Sequence, residues 1–521
     1  MGGPTALLGC AQRRAAALQD TYRRSGFWSA QPADVVRTTA TAHPDRLALV
    51  ARGEELTYAQ LDERIDQACL RMAAAGVEGS EPIVVLVGND VDSVVAVHAA
   101  LRLDAVLLLV PRNVGETQVA DIIARTGAEY GVAPKSPGAT AQPLPETLNW
   151  IAVDVDSAPY VEYRSQRAAD EPCLVLYTSG TTSKPKGVIH SLSTLIKASA
   201  NYIAAAELTD DDRIFLISPL ASVTGVLQGL FIGSMLAAPV ILEDRWDPSA
   251  TSELLVSSGA TWYGGPDRLL DRILDEAVDR HATISLRAVY LGGTMLDRRI
   301  VERIEDDFGI IVMRAYGSSE VPVSTSGLRH EPRDVRHADD GVALADVEVR
   351  VGSSADPTEC CIRGPHAFLG YTDAEDDAAA FDEDWFRTGD VAELDNGRVR
   401  IVGRLKDIII RNGLKIPAAE VEEAVARIAG VRDCAAYSVA DSTTGERLAV
   451  AVVLDSADQM SLSDVAGALM AAGLPKYKLP EELVFWDEPL PVNANGKVER
   501  NKLEARSAGR PRVLADRLAE R

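Results

Sequence analysis

Nine consecutive residues, Ser179-Gly180-Thr181-Thr182-Ser183-Lys184-Pro185-Lys186-Gly187, hold four hydroxyls, two lysines, two glycines and a proline. The apolar run Leu174-Val175-Leu176-Tyr177 and Thr178 precede them with the length and texture of a buried strand. Beyond them Leu192, Leu195, Ile196, Ala200 and Ile203 recur at helical spacing, with Ser191 as the N-cap. A strand, a loop rich in glycine and hydroxyls and then a helix is an arrangement that offers backbone N–H groups and hydroxyls to phosphate oxygens. It is not the commoner phosphate loop, because G-x-x-x-x-G-K-[ST] read from Gly180 needs glycine where Pro185 stands.

Tyr177-Thr178-Ser179-Gly180-Thr181-Thr182-Ser183-Lys184-Pro185-Lys186-Gly187-Val188 closely resembles the signature phosphate loop of the adenylate-forming superfamily: acyl-CoA synthetases, aryl-acid ligases and peptide-synthetase adenylation domains. Such enzymes join a carboxylate to the α-phosphate of ATP and expel pyrophosphate. That needs phosphate donors, Mg²⁺, a nucleotide clamp and a cation at the reacting centre. The resemblance extends over about residues 20–505 and implies a role for each further motif. Thr178, Ser179, Gly180, Thr181, Thr182 and Lys186 would grip the phosphates, with Gly292 and Gly293 at the nucleotide. Tyr316-Gly317-Ser318-Ser319-Glu320 would stack adenine on Tyr316, bind the α-phosphate through Ser319 and hold Mg²⁺ through Glu320; Ser319 replaces the usual threonine and keeps the donor. Trp385-Phe386-Arg387-Thr388-Gly389-Asp390 is similar to the ribose-binding motif, with Asp390 accepting from the ribose hydroxyls and Arg404 as the second ribose and phosphate contact. In Leu490 to Val498, Lys497 would bridge the substrate carboxylate and the α-phosphate. Lys406 matches the hinge of the family, and Gly413 matches the glycine beside which the pantetheine arm passes, where a Cβ would narrow a tunnel. A small C-terminal domain would therefore rotate between half-reactions, delivering Lys497 first and the Gly413 face second.

Ser218 to Gly225, Glu243 to Pro248 and Arg314 to Ser318 resemble cyclohexanecarboxylate–CoA and medium-chain acyl-CoA ligases. That group usually carries histidine where this chain has Ser222. A serine there enlarges the pocket and removes a polar edge. With Val223, Thr224, Gly225, Gly265 and Thr294 it implies a roomy, apolar site for a cyclic or medium-chain carboxylic acid, with a bulky steroid-derived acid also open. The resemblance implies ATP, Mg²⁺ and coenzyme A as co-substrates and cofactors. The alternative acceptor is the phosphopantetheine of a separate carrier protein.

These residues need rigid elements to place them. Strand patterns at Ile83–Val87, Ile214–Ile217, Val240–Leu242, Ala288–Leu291 and Ile310–Met313 alternate with helical ones, which predicts a mixed, largely parallel α/β architecture with ligands at the C-terminal strand ends. Leu47–Val50 and Leu56–Tyr58 form a hairpin, Ala11–Arg24 a lead-in helix, and Leu61–Ala75 an amphipathic helix stopped by Gly76. At 521 residues the chain exceeds one core, and we place a large domain at 1–402 and a small, mobile α+β domain at 403–521. The tail after Leu503 reads as frayed helix or disorder. A net charge of −24 argues against nucleic acid, and six scattered cysteines without C-x-x-C argue against zinc or a disulfide framework. No apolar leader or membrane span is legible, so a cytoplasmic location is expected, with a homodimer left open.

Overall fold

The computed structural model describes residues 7–133, 147–153, 161–178, 185–292, 296, 298–455, 460–492 and 498–519. Two units emerge: Met1–Val349 with Ile362–Phe386, and Arg350–Cys361 with Arg387–Arg521.

The first unit carries two sheets. One has the order Gly370–Tyr371, Lys186–Ser191, Pro172–Thr178, Val106–Pro111, Pro82–Val87, Tyr130–Val132 and Asn149–Ile151. Its pairings are parallel from Pro172–Thr178 outward to Asn149–Ile151. The central strands are buried on both faces, which is why they read as unbroken apolar runs. Val84, Leu86, Leu108, Val110, Val175 and Ile189 pack one face against Ala11 and Ala15 of helix Gly9–Arg24. Each fully buried side chain of this kind contributes about 1.5–3 kcal/mol.

The second sheet runs Leu47–Ala51, Val240–Leu242, Ile214–Leu216, Trp262–Gly265, Ala288–Leu291 and Ile311–Tyr316 in parallel register. The hairpin to Glu54–Thr57 closes one side. Phe215, Ile241, Tyr263, Val289 and Val312 bury against Leu254, Leu270, Ile273, Leu274 and Ile304 of the flanking helices. The largely parallel α/β expectation is met.

Two local expectations fail. Lys186 and Gly187, expected as the end of the loop, instead open a strand, Lys186–Ser191, antiparallel to Pro172–Thr178, pairing Thr178 with Lys186 and Tyr177 with Gly187. The flanking residues Thr178 and Lys186 are thus paired, and residues 179–184 between them lie outside the described residues. Ser191 does cap helix Leu192–Ala206, accepting from Thr194 N in a capping box, but that helix begins at the far end of the second strand. The five steps from Lys186 to Ser191, at about 3.3 Å each, put its positive end roughly 16 Å from Lys186.

In the second unit a six-stranded sheet is built on Val431–Asp441, Gly445–Leu454 and Glu482–Trp486. Period-two alternation sends Val450 and Val452 to one face, against Val421, Val425, Val465 and Leu469, and Ala449, Ala451 and Val453 to the other, against Leu503. The tail is ordered, contrary to expectation: Arg512–Leu514 adds an edge strand to Glu482–Trp486, and Arg512 and Arg517 pair with Glu482 and Glu481. Its arginines read as solvated charge in sequence because their acidic partners lie about thirty residues upstream.

Candidate active site

Four parallel neighbours of the second sheet bring their C-terminal ends to one edge, where an α/β fold places ligands. Ser222–Gly225 follow Ile214–Leu216, Gly265 ends its strand, Gly292 follows Ala288–Leu291, and Tyr316-Gly317 leave Ile311–Tyr316. Thus the residues expected around the acid and the adenine gather from distant stretches of chain. Gly293, Thr294, Ser179, Gly180, Thr181, Thr182 and Lys497 lie outside the described residues.

Ser222 is spent locally. Its hydroxyl donates to Pro219 O at 2.7 Å and accepts from Gly225 N at 3.1 Å, capping Val223–Val226. Gly225 is obligatory, since a Cβ there would sit 2.0 Å from Pro219 O. The helix then widens into a buried π-helical stretch, Leu227–Ile232. Asn89 holds the approach to this turn. Its buried Nδ2 donates to Ser218 O and Glu243 O, both at 3.1 Å, and its Oδ1 accepts from Leu220 N at 2.9 Å. Asn89 sits just beyond Pro82–Val87, so one side chain fastens the turn Ser218–Leu220 of one sheet to the other sheet. No motif marked it.

Glu320 is anchored from several directions. Its carbonyl accepts from Phe368 N at 2.7 Å. Its Oε1 accepts from Tyr371 Oη at 2.7 Å. The preceding carbonyl, Ser319 O, accepts from His190 Nε2 at 2.7 Å, which fixes the proton on that nitrogen. Ser318 Oγ accepts from Glu320 N at 3.3 Å, tightening the turn. Complete burial pushes the His190 imidazole down to about 4, so it is neutral and serves as a strut. Burial, reinforced by the Glu320 charge, pushes the Tyr371 phenol far above its usual range and keeps it a donor. Lys186, the first residue of its strand, pairs with Asp376 Oδ1 at 2.8 Å and lies 4.9 Å from the centre of the Tyr371 ring. Residues 185–191, 316–320 and 368–376 therefore form one constellation. Sequence reasoning found Lys186, Ser319 and Glu320 and missed His190, Tyr371 and Asp376. Gly370-Tyr371 is a two-residue strand, too short to leave a periodic signal.

The donor set suits a hard cation held by one carboxylate and by phosphates. Among the described residues no cluster of three or more His, Cys, Asp or Glu could hold a metal by itself, as Mg²⁺ shared with a nucleotide does not require one.

In the second unit Asp390 and Arg404 are register partners on Trp385–Asp395 and Arg398–Arg404, with Nε to Oδ1 at 3.2 Å. Asp390 is buried, and its backbone N–H donates to Thr388 Oγ1 at 3.1 Å. Lys406 lies in the turn Leu405–Asp407; burial lowers its ammonium pKa, with Arg404 adding to the effect. Asn412 and Gly413, at φ 51° and 76°, turn the hairpin between Ile408–Arg411 and Leu414–Pro417. A Cβ on Gly413 would meet nothing within 4 Å, so among the described residues the turn rather than crowding requires glycine. Val492 and Val498 bridge, and Glu499 N donates to Pro491 O at 2.8 Å, closing the base of the loop that carries Lys497.

The description "AMP-binding enzyme" matches residues 36–372, and "AMP-binding enzyme C-terminal domain" matches residues 420–497. The medium-chain fatty-acid–CoA ligase of Escherichia coli (strain K12) is 30% identical, covering 94% of this chain and 92% of its own. A Mycobacterium tuberculosis 3-[(3aS,4S,7aS)-7a-methyl-1,5-dioxo-octahydro-1H-inden-4-yl]propanoyl:CoA ligase is also 30% identical, covering 88% of this chain and 96% of its own. The o-succinylbenzoate CoA synthetase of Bacillus subtilis, in complex with its acyl-adenylate intermediate, shares the fold at a TM-score of 0.80 and 23% identity over 91% of this chain and 98% of that one. The chain belongs to the AMP-binding enzyme family, the adenylate-forming enzymes.

Proposed function

We propose that this protein is an ATP- and Mg²⁺-dependent acid–CoA ligase that works through an acyl-adenylate. The observation that carries the proposal is the Lys186–Tyr371–Glu320 constellation, which sets a cation and a carboxylate held through one oxygen by Tyr371 next to the strand that follows the phosphate-loop sequence. Oε1 of Glu320 is held by Tyr371, which leaves Oε2 as a single hard ligand for Mg²⁺. The chemistry supplied by that ion is neutralisation of charge on the departing pyrophosphate.

In the first half-reaction a carboxylate oxygen of the acid attacks the α-phosphorus, the bond to the bridging oxygen breaks, and pyrophosphate leaves. Hydroxyls and N–H groups of residues 178–182, with Lys186, bind the phosphates. Tyr316 stacks on the adenine, Asp390 accepts from the ribose hydroxyls with Arg404 beside it, and Lys497 stabilises charge at the reacting centre. In the second, the thiolate of coenzyme A attacks the acyl carbon and AMP leaves.

The acid is a cyclic or medium-chain carboxylic acid. Support comes from Ser222, at the position usually held by histidine, whose hydroxyl is engaged by Pro219 O and Gly225 N. Both relatives at 30% identity are named for substrates of this general kind, a medium-chain fatty acid and an octahydroindenyl propanoyl group.

Trapping with hydroxylamine across a panel of cyclic, aryl, medium-chain and sterol-derived acids, followed by addition of coenzyme A, tests the proposal. Hydroxamate formation from a cyclic or medium-chain acid when hydroxylamine is present, and acyl-CoA with release of AMP when coenzyme A replaces hydroxylamine, is the expected result. Acyl-AMP without acyl-CoA would instead favour a carrier-protein acceptor.

A further inference from the structure

The Glu320 carboxylate is half-buried at the junction of three segments, and Tyr371 is the only described side chain that touches it through a hydrogen bond at normal length. The phenol is buried, and its strand pairs with Lys186–Ser191, Tyr371 against Val188 and Gly370 against Ile189. The Tyr371 backbone is held in turn: its N–H donates to Asp377 Oδ1 at 3.1 Å, and Thr372 N donates to Gly187 O at 2.9 Å. The ring packs edge-on against Phe368, centroids 4.9 Å apart, and Phe368 N is the group that binds Glu320 O. Backbone and side chain of Glu320 are thus fixed by two residues three positions apart on the same short segment.

A buried phenol needs an acceptor, and a carbonyl would satisfy it at less cost than a carboxylate. Here the acceptor is the carboxylate that the proposed function assigns to Mg²⁺. A hydroxyl donating to one oxygen of a ligating carboxylate at 2.7 Å orients the other oxygen and blocks bidentate rotation. The same ring lies under Lys186, so the cation at the hairpin base and the metal carboxylate share one platform.

We propose that Tyr371 is a positioning residue of the metal site: it holds Oε1 of Glu320 so that Oε2 alone is presented to the Mg²⁺ that accompanies ATP. This rests on the assignment of Glu320 as the metal ligand, and the test separates the two.

The probe is Mn²⁺ bound to full-length enzyme saturated with a non-hydrolysable ATP analogue, titrated by electron paramagnetic resonance. Tyr371→Phe removes one oxygen and keeps the ring packing. It is expected to weaken Mn²⁺ affinity about tenfold, the usual scale for losing a group that orients a metal ligand. Binding of the analogue in the presence of a chelator, and the circular dichroism spectrum, should stay as in the wild type. Glu320→Gln should also lose Mn²⁺ affinity, and adding Tyr371→Phe to it should cause no further loss, because the group being oriented is no longer a ligand. Wild-type Mn²⁺ affinity in Tyr371→Phe, with Glu320→Gln impaired, overturns the positioning role alone. Independent, multiplying losses in the double variant do the same. Wild-type affinity in Glu320→Gln overturns the ligand assignment, and the positioning role falls with it.

Discussion

Replacing Arg500 by leucine should destabilise the C-terminal unit by about 3 kcal/mol, because it strands a buried carboxylate. Arg500 donates through Nη2 and Nε to both oxygens of Glu422, at 2.6 and 3.1 Å, and through Nη1 to Asp407 at 3.2 Å. The Glu422 side chain is 4% exposed, and its Oε1 also accepts from Ala436 N at 2.7 Å. Breaking a buried pair from one side costs about 3–5 kcal/mol. The Arg500 side chain is 29% exposed, so water will reach part of the vacated space and the lower end applies. For a unit of this size that is a fall in its melting transition of about 6–12 °C. The loss should also depend on pH. Burial raises the Glu422 carboxyl above its ordinary value of 4.5 even with Arg500 beside it, and removing the guanidinium raises it further. The folded variant then keeps a proton that the unfolded chain releases. Its stability therefore falls as pH rises from the unfolded value through the raised folded one, and recovers on acidification. Calorimetry at pH 5 and pH 8 measures this directly. Adding Glu422→Gln, which keeps an acceptor for Ala436 N and removes the stranded charge, should restore more than half of the loss. A melting transition within 2 °C of wild type for Arg500→Leu at both pH values would refute the reasoning. So would a variant that is more stable at pH 8 than at pH 5 relative to wild type.

Lys497→Ala should reduce acid-dependent pyrophosphate exchange by about a hundredfold or more while the melting temperature and ATP binding stay near wild type; undiminished exchange would contradict its role. Asp390→Asn should raise the KM for ATP about tenfold or more, since hydrogen bonds to a charged group are worth about 1.5–3 kcal/mol. An unchanged KM would remove Asp390 from the ribose site. Ser222→Ala should cost about 1 kcal/mol in unfolding free energy by loss of the cap and leave the ranking of acids within about threefold. A tenfold change in ranking would mean that the hydroxyl touches the acid rather than Pro219 and Gly225.

The alternating strands and helices were legible because each strand is long enough, and buried enough, to write its own pattern; Pro82–Val87 and Val106–Pro111 are apolar nearly end to end. The hairpin Lys186–Ser191 escaped because its polar residues Lys186, His190 and Ser191 mask a strand whose middle is fully buried. The edge strand Arg512–Leu514 escaped because charge-paired arginines look like a solvated tail until Glu481 and Glu482 are placed beside them. At the site, residues that would touch ligand were readable, since their chemistry requires particular types in a particular order. The residues that position them were not. Asn89, His190 and Tyr371 act through hydrogen bonds that span from 51 to 154 positions of sequence, and nothing local to an asparagine, histidine or tyrosine announces a distant carbonyl or carboxylate. Gly413 was singled out by its motif position, and the structure adds a local reason for glycine there: a φ of 76° in a tight turn.

The central claim is that ATP is cleaved between the α- and β-phosphates only when a carboxylic acid is present to take the adenylyl group. Exchange of labelled pyrophosphate into ATP, measured with and without each acid and before any coenzyme A is added, tests it most directly. The account predicts exchange that requires both Mg²⁺ and a cyclic or medium-chain acid, with AMP appearing once the thiol is supplied. Exchange that is indifferent to acid, or ADP and phosphate as the products, would contradict it.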